Sequence, residues 1–309
     1  MKYNDDASLD TSEVSDIRGG GGLGGMLGGK TMAGGGLGIV GVVAYLLVSL
    51  LGGGGSSNVA DVVLGGLGQA GGQRTADNSE IQQNCRTGQD ANKRLECAVV
   101  ADINSIQGYW QAELPRLGRQ YEPVDTVWFS GQVQTGCGAA DSGAGPFYCP
   151  ADKLVYIDLS FYDDIRSEFK AEGGLFVDAY VLAHEYGHHV QDLLGIEAKV
   201  KTRQGANSDS VRLELQADCF AGVWAKHATE PGADGSPALI SEITDQDIQN
   251  ALQVAGRIGD DWIQKNLGNG HVDQNAFTHG SSAQRQRWLT TGFRTGDPNA
   301  CDTFSANTL

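Results

Sequence analysis

Apolar positions along the chain fall into three patterns. Leu37 to Leu51, L-G-I-V-G-V-V-A-Y-L-L-V-S-L-L, is a continuous run without a charge. With its uncharged flanks from Thr31 to Ala60 it can cross about 30 Å of hydrocarbon at about 1.5 Å per residue, so it predicts a single transmembrane helix over 37–54. Further on, apolar residues recur at helical spacing on both sides of a polar string, Tyr180-Val181-Leu182-Ala183 before it and Val190 to Leu194 after it. That pattern predicts a buried helix, which Gly195 can close as a left-handed cap. Val211, Leu215, Phe220, Val223 and Trp224 predict a second helix, and Ala91–Glu113 reads as another. The third pattern is strand-like, in two short runs, Thr126–Ser130 and Leu154–Leu159. Short strands followed by a series of helices indicate an α+β fold, mostly helical with a small sheet. Residues 80–309 suffice for one domain with a sizeable core.

Composition separates the N-terminal part from that domain. Glycine dominates residues 18–36, which cannot bury a core. The expectation is a flexible Gly-rich segment over 1–36 and a Gly/polar linker over 55–79. Arg18 and Lys30 precede the apolar run and no Lys or Arg follows it until Arg74. The asymmetry puts the N-terminus in the cytoplasm and the domain outside the cytoplasmic membrane, periplasmic or extracellular. A cleaved signal peptide is the competing reading; the long glycine-rich lead-in and the lack of a small-x-small site favour an uncleaved anchor.

All six cysteines, at 85, 97, 137, 149, 219 and 301, follow the apolar run, as an oxidising compartment would give. Cys85–Cys97 and Cys137–Cys149 are the natural local pairs, which leaves Cys219–Cys301 among the many connectivities six cysteines allow. No C-x-x-C spacing suggests a metal site. A net charge of -16 and a pI near 4.6 argue against nucleic acid as a partner. The glycine tract lacks the G-x-x-x-x-G-K-S/T pattern that cradles phosphate.

The polar string inside the first predicted helix is His184-Glu185-Tyr186-Gly187-His188-His189. His184 and His188 are four apart, so both project from one helix face toward a point they can share, which suits zinc. Glu185 reaches the edge of that point, where a carboxylate can take a proton from a metal-activated water. His189 lies about 100° around the helix from His188 and is not expected to bind metal. Gly187 costs about 1 kcal/mol of helix propensity relative to alanine, which makes sense if another backbone packs closely there. A third ligand must come from elsewhere. Glu214 and Asp218 share a face of the second helix, so Glu214 can complete the zinc ligands while Asp218 accepts the free ring N–H of a ligating histidine. Solvated histidines and a solvated acidic face are the bland alternatives; the apolar surroundings of both strings count against them.

These strings, together with Gly145 to Asp152 (G-P-F-Y-C-P-A-D), Val155 to Phe161 (V-Y-I-D-L-S-F), Arg212 to Trp224, Gly259 to Asp261 (G-D-D) and Thr278 to Arg285 (T-H-G-S-S-A-Q-R), make the chain similar to a bacterial family called putative neutral zinc metallopeptidases. The likeness covers about residues 80–305, and H-E-x-x-H with E-x-x-x-D resembles the gluzincin class. It implies a zincin-like domain after one membrane helix, bound Zn2+, and a peptide or protein substrate. It also implies that His279 and Arg285 contact the oxyanion or the substrate; alternatively His279 caps the helix starting near Ser281 and Arg285 pairs with an acid. By the same likeness Val155-Tyr156-Ile157-Asp158 would be the sheet edge bordering the cleft, or else a plain sheet strand. The expected function is a membrane-anchored zinc peptidase with Glu185 as general base. A membrane-anchored interaction or assembly protein with a structural zinc site is the competing class, and it gives Glu185 no role.

Overall fold

The computed structural model describes residues 1–19, 75–232 and 235–309. The apolar run read as a membrane helix over 37–54 lies outside the described residues, as does most of the linker after it. Among the described residues no helix is long and apolar enough to cross a membrane. In chain order the elements are β1 (Lys2–Tyr3), β2 (Val14–Asp16), α1 (Ser79–Asn84), α2 (Gly88–Ala91), α3 (Leu95–Glu113), β3 (Thr126–Trp128), β4 (Gln132–Thr135) and β5 (Gly138–Asp141). There follow β6 (Phe147–Cys149), β7 (Leu154–Ile157), α4 (Phe161–Ser167), α5 (Leu175–Leu194), α6 (Asp209–His227), β8 (Ile240–Glu242), α7 (Asp245–Arg257), α8 (Asp260–Asn266) and α9 (Ser282–Thr295). The fold is α+β, with helices predominating over small sheets.

The main sheet has the order β2-β3-β7-β6. β2, β3 and β7 are parallel, with Val14, Thr126 and Val155 in line, and β6 runs antiparallel to β7 with Phe147 opposite Tyr156. The expected edge is thereby corrected: β7, which contains Val155-Tyr156-Ile157, is an inner strand and β6 is the edge. The cause is local. Pro150 to Lys153 form a turn closed by Lys153 N–H donating to the Cys149 carbonyl, with Lys153 at φ 58, so the chain arrives through one more strand before β7.

The helix read over Ala91–Glu113 starts at Leu95, because Ala91 ends the short helix α2 and the chain turns at Asn92. The Asn92 side chain accepts from Tyr3 N–H and donates to the Tyr3 carbonyl. α3 then buries Val99, Val100, Ile103, Ile106 and Trp110 completely.

A second correction concerns residues 1–18, which are not a flexible lead-in. β1 pairs with β8 and β2 extends the main sheet; Tyr3 is wholly buried, with its hydroxyl donating to Asp102 Oδ1 at 2.8 Å. Asp77 N–H donates to the Asp16 carbonyl at 2.8 Å, and the Asn78 side chain accepts from Asp16 N–H. Two- and three-residue strands are too short to show a period in sequence, and what holds them is mostly backbone pairing with an occasional buried anchor such as Val14.

Helices α5 and α6 pack along each other so closely that a methyl group on Gly187 would lie 3.1 Å from Ala217 Cα and O, which is the close approach its presence suggested. α6 and α9 cross at Gly222 and Gly292, and a methyl on Gly292 would overlap the Cys219 carbonyl. α5 ends at Gly195, with φ 70. Ser208 caps α6 by accepting from Val211 N–H, and Ser281 with Gln284 forms a capping box on α9. The disulfides are Cys85–Cys97, Cys137–Cys149 and Cys219–Cys301, the last fastening the C-terminal residues to α6.

Candidate active site

Three elements converge on one cavity of about 500 Å3. Leu182, Ala183, Tyr186 and Val190 anchor α5 in the core, which leaves one stripe of the helix, His184, His188 and Gln191, turned toward α6. Ligand atoms of His184, His188 and Glu214 all lie within 4.8 Å of one another. His184 Nε2 is 3.2 Å from Glu214 Oε2 and His188 Nε2 is 3.5 Å from Glu214 Oε1.

The far sides of both rings are occupied. His184 Nδ1 is 2.9 Å from Asp218 Oδ1, and His188 Nδ1 is 2.9 Å from Gln191 Oε1. An amide oxygen only accepts, so His188 Nδ1 carries the hydrogen and its Nε2 presents a lone pair. The Gln191 amide nitrogen in turn donates to the Leu213 carbonyl and to Gln216 Oε1. Two such imidazoles and a buried carboxylate form the donor set that zinc takes, with second partners that fix both rings. The described residues fit such an ion, which His184, His188 and Glu214 could hold.

Asp218 is fully buried and fully engaged. Tyr180 O–H donates to its Oδ1 at 2.7 Å, and Arg285 donates through Nε to Oδ2 and through Nη2 to Oδ1, each at 2.9 Å. Burial is the largest single influence and opposes its ionisation, but the Arg285 guanidinium and His184, with their hydrogen bonds, together outweigh it and hold the carboxyl below the usual range. The pairing that sequence gave as the alternative for Arg285 is thus present, and Arg285 still lines the cavity.

His279 also lines the cavity, just before α9. It does not cap that helix; Ser281 does. Its Nδ1 is 2.8 Å from Thr278 Oγ1 and 3.4 Å from Asp260 Oδ1, while Asp260 Oδ2 accepts the N–H groups of Thr278, His279 and Gly280 at 2.8, 2.7 and 2.9 Å. Asp260 therefore sets the turn that carries His279. Sequence quoted it within G-D-D and gave it no part. Gln191 was also missed, although its place seven residues after His184 put it on the ligand stripe.

Glu185 sits on the adjacent stripe. Burial pushes its carboxyl up from the ordinary glutamate range, and Tyr148 N–H on edge strand β6 donates to its Oε2 at 3.1 Å. Away from these groups the cavity wall is mainly apolar, with Phe147, Phe161, Phe169, Ile258 and Ile263, and it also carries Glu197, Gln204, Ser210 and Gln264.

A family model described as Putative neutral zinc metallopeptidase matches residues 1–304. The chain is 50% identical over 228 residues to a Mycobacterium tuberculosis protein, "Uncharacterized protein Rv2575", covering 73% of this chain and 76% of that one. It is 45% identical over 208 residues to "Uncharacterized protein YpfJ" of Escherichia coli, covering 65% and 69%. No solved structure matches. The chain belongs to the family of putative neutral zinc metallopeptidases.

Proposed function

We propose that the chain hydrolyses peptide bonds in a zinc-dependent reaction outside the cytoplasm, with Glu185 as general base. When bound at His184, His188 and Glu214, zinc supplies activation of a water molecule and polarisation of a substrate carbonyl. The observation that carries the reading is Glu185 itself, a buried carboxylate beside the ligand cluster with one oxygen held by Tyr148 N–H. Its other oxygen is left to accept a proton from the attacking water and return it to the leaving amine. A carboxyl pushed up by burial is better matched to proton transfer near neutral pH than an exposed one. His279 is assigned to the developing oxyanion, with Asp260 holding it in place. β6, the edge strand whose Phe147 and Tyr148 line the cavity, is the strand beside which an extended peptide would lie.

The competing structural reading has less support, because three donors here face an open cavity whereas closed structural sites use four. Three disulfides support an oxidising compartment. The apolar run over 37–54 is the candidate membrane contact. The test is metal analysis joined to a peptide-library digest. Expected are about one zinc per chain, cleavage by the wild type, and a fall of about a thousandfold or more in Glu185→Gln with zinc retained. Zinc bound without any Glu185-dependent cleavage would move the function to the interaction class.

A further inference from the structure

The last letter of the H-E-Y-G-H-H string has no part in metal binding or proton transfer, yet His189 is completely buried. On α5 it belongs with Glu185 and Asp192, spaced i, i+4 and i+7, a stripe beside that of the ligands His184 and His188. All three residues of this second stripe meet one partner, Tyr148 of the edge strand. Its backbone N–H donates to Glu185 Oε2 at 3.1 Å, its hydroxyl donates to Asp192 Oδ2 at 2.8 Å, and the same hydroxyl is 3.2 Å from His189 Nδ1.

The histidine is itself fixed. Its Nε2 is 2.8 Å from the Glu122 carbonyl, which can only accept, so Nε2 carries a hydrogen and the neutral ring presents Nδ1 as an acceptor. The Tyr148 hydroxyl has a single hydrogen, given to Asp192 Oδ2 with His189 Nδ1 as the alternative acceptor 3.2 Å away, and its ring is boxed against His189 at 5.3 Å between centroids. Turning the side chain away would take the only hydroxyl hydrogen from the half-buried Asp192 carboxylate and from His189 Nδ1 together.

We propose that Tyr148 is a positioning residue for Glu185, its side chain clamped by His189 and Asp192 so that its backbone N–H holds the base at a fixed place beside the ligand cluster. Helix α5 thus sets the ligands with one stripe and the register of the edge strand with the next. A substrate added to β6 is brought to the same helix that carries base and ligands. The proposal rests on the peptidase reading for its catalytic consequence, and its structural half can be measured without turnover.

Tyr148→Phe removes the hydroxyl that both Asp192 and His189 face and keeps the ring. The expected result is kcat lowered about tenfold or more with KM and zinc content little changed, and no further loss when the substitution is added to Glu185→Gln. Asp192→Asn keeps an acceptor and should stay near wild type, whereas Asp192→Ala should follow Tyr148→Phe; this pair decides the matter if Tyr148→Phe does not fold. Unchanged kcat in Tyr148→Phe, or equal behaviour of the two Asp192 variants, overturns the proposal and leaves the peptidase reading standing.

Absence of Glu185-dependent cleavage in the wild type sinks the peptidase reading alone. The clamp is then judged by hydrogen exchange of the Tyr148 amide. That amide should exchange slowly in the wild type and at least about tenfold faster in Tyr148→Phe and Asp192→Ala; equal rates reject the clamp.

Discussion

Asp178 lies on α5 one turn and a half before the ligands, enclosed and with no hydrogen-bond partner for its Oδ1. Burial pushes its carboxyl up to about 7, so the fold favours the protonated acid. The sign follows from linkage: between the unfolded value near 4 and about 7 the native state holds more protons than the unfolded chain, so this residue's contribution to stability falls as pH rises through that window and is flat above it. Asp178→Asn should therefore gain on the wild type from pH 4 to 7, by about 3 to 4 kcal/mol at the upper end. Urea unfolding of both proteins across that range measures it, and a pH-independent difference would reject it. Asp218 and Asp260, which ionise readily, are common to both proteins and cancel. Sequence reached His184, Glu185, His188, Glu214 and Asp218 because helical spacing is itself geometry. It missed Gln191, Asp260 and Tyr148, whose parts depend on which acceptor faces which ring, a matter settled only when separate elements meet.

At the scale of elements, the site depends on how near α6 comes to α5 and to α9. Gly222 and Gly292 permit the second crossing, and that crossing brings Arg285 onto Asp218. Gly292→Ala places a methyl into the Cys219 carbonyl, so α9 must shift; a loss of about 3 kcal/mol or more is expected together with weaker zinc binding. Gly108→Ala on α3, where a methyl meets nothing within 4 Å, should instead stabilise by up to about 1 kcal/mol. Denaturant midpoints and zinc titration separate the two, and equal effects would count against the crossing as the cause. The long helices were legible because their buried faces repeat at the helical period. β6 was not, since three residues with both faces covered show no alternation, and the strand order fell out of a turn that propensity did not flag.

At the scale of the whole molecule, the α+β class and the three disulfides were legible, the first from the succession of elements and the second from cysteine spacing. The placement of residues 1–18 was not, since nothing in a short polar segment announces the partner whose edge it will complete. Its consequence concerns topology. Because Asp77 is hydrogen-bonded to Asp16, the chain rejoins the domain where it departed. A single passage through a bilayer by the residues between would leave β2 and β3, neighbours in one sheet, in different aqueous phases. Lys2 and Lys265, both exposed, are therefore expected to react with a membrane-impermeant amine reagent from the same side of sealed vesicles. Modification of Lys265 alone from that side, with Lys2 reached only after lysis, would restore the single crossing. Otherwise Arg18 and Asp77, on either side of the glycine-rich segment, face the same aqueous compartment as the cavity.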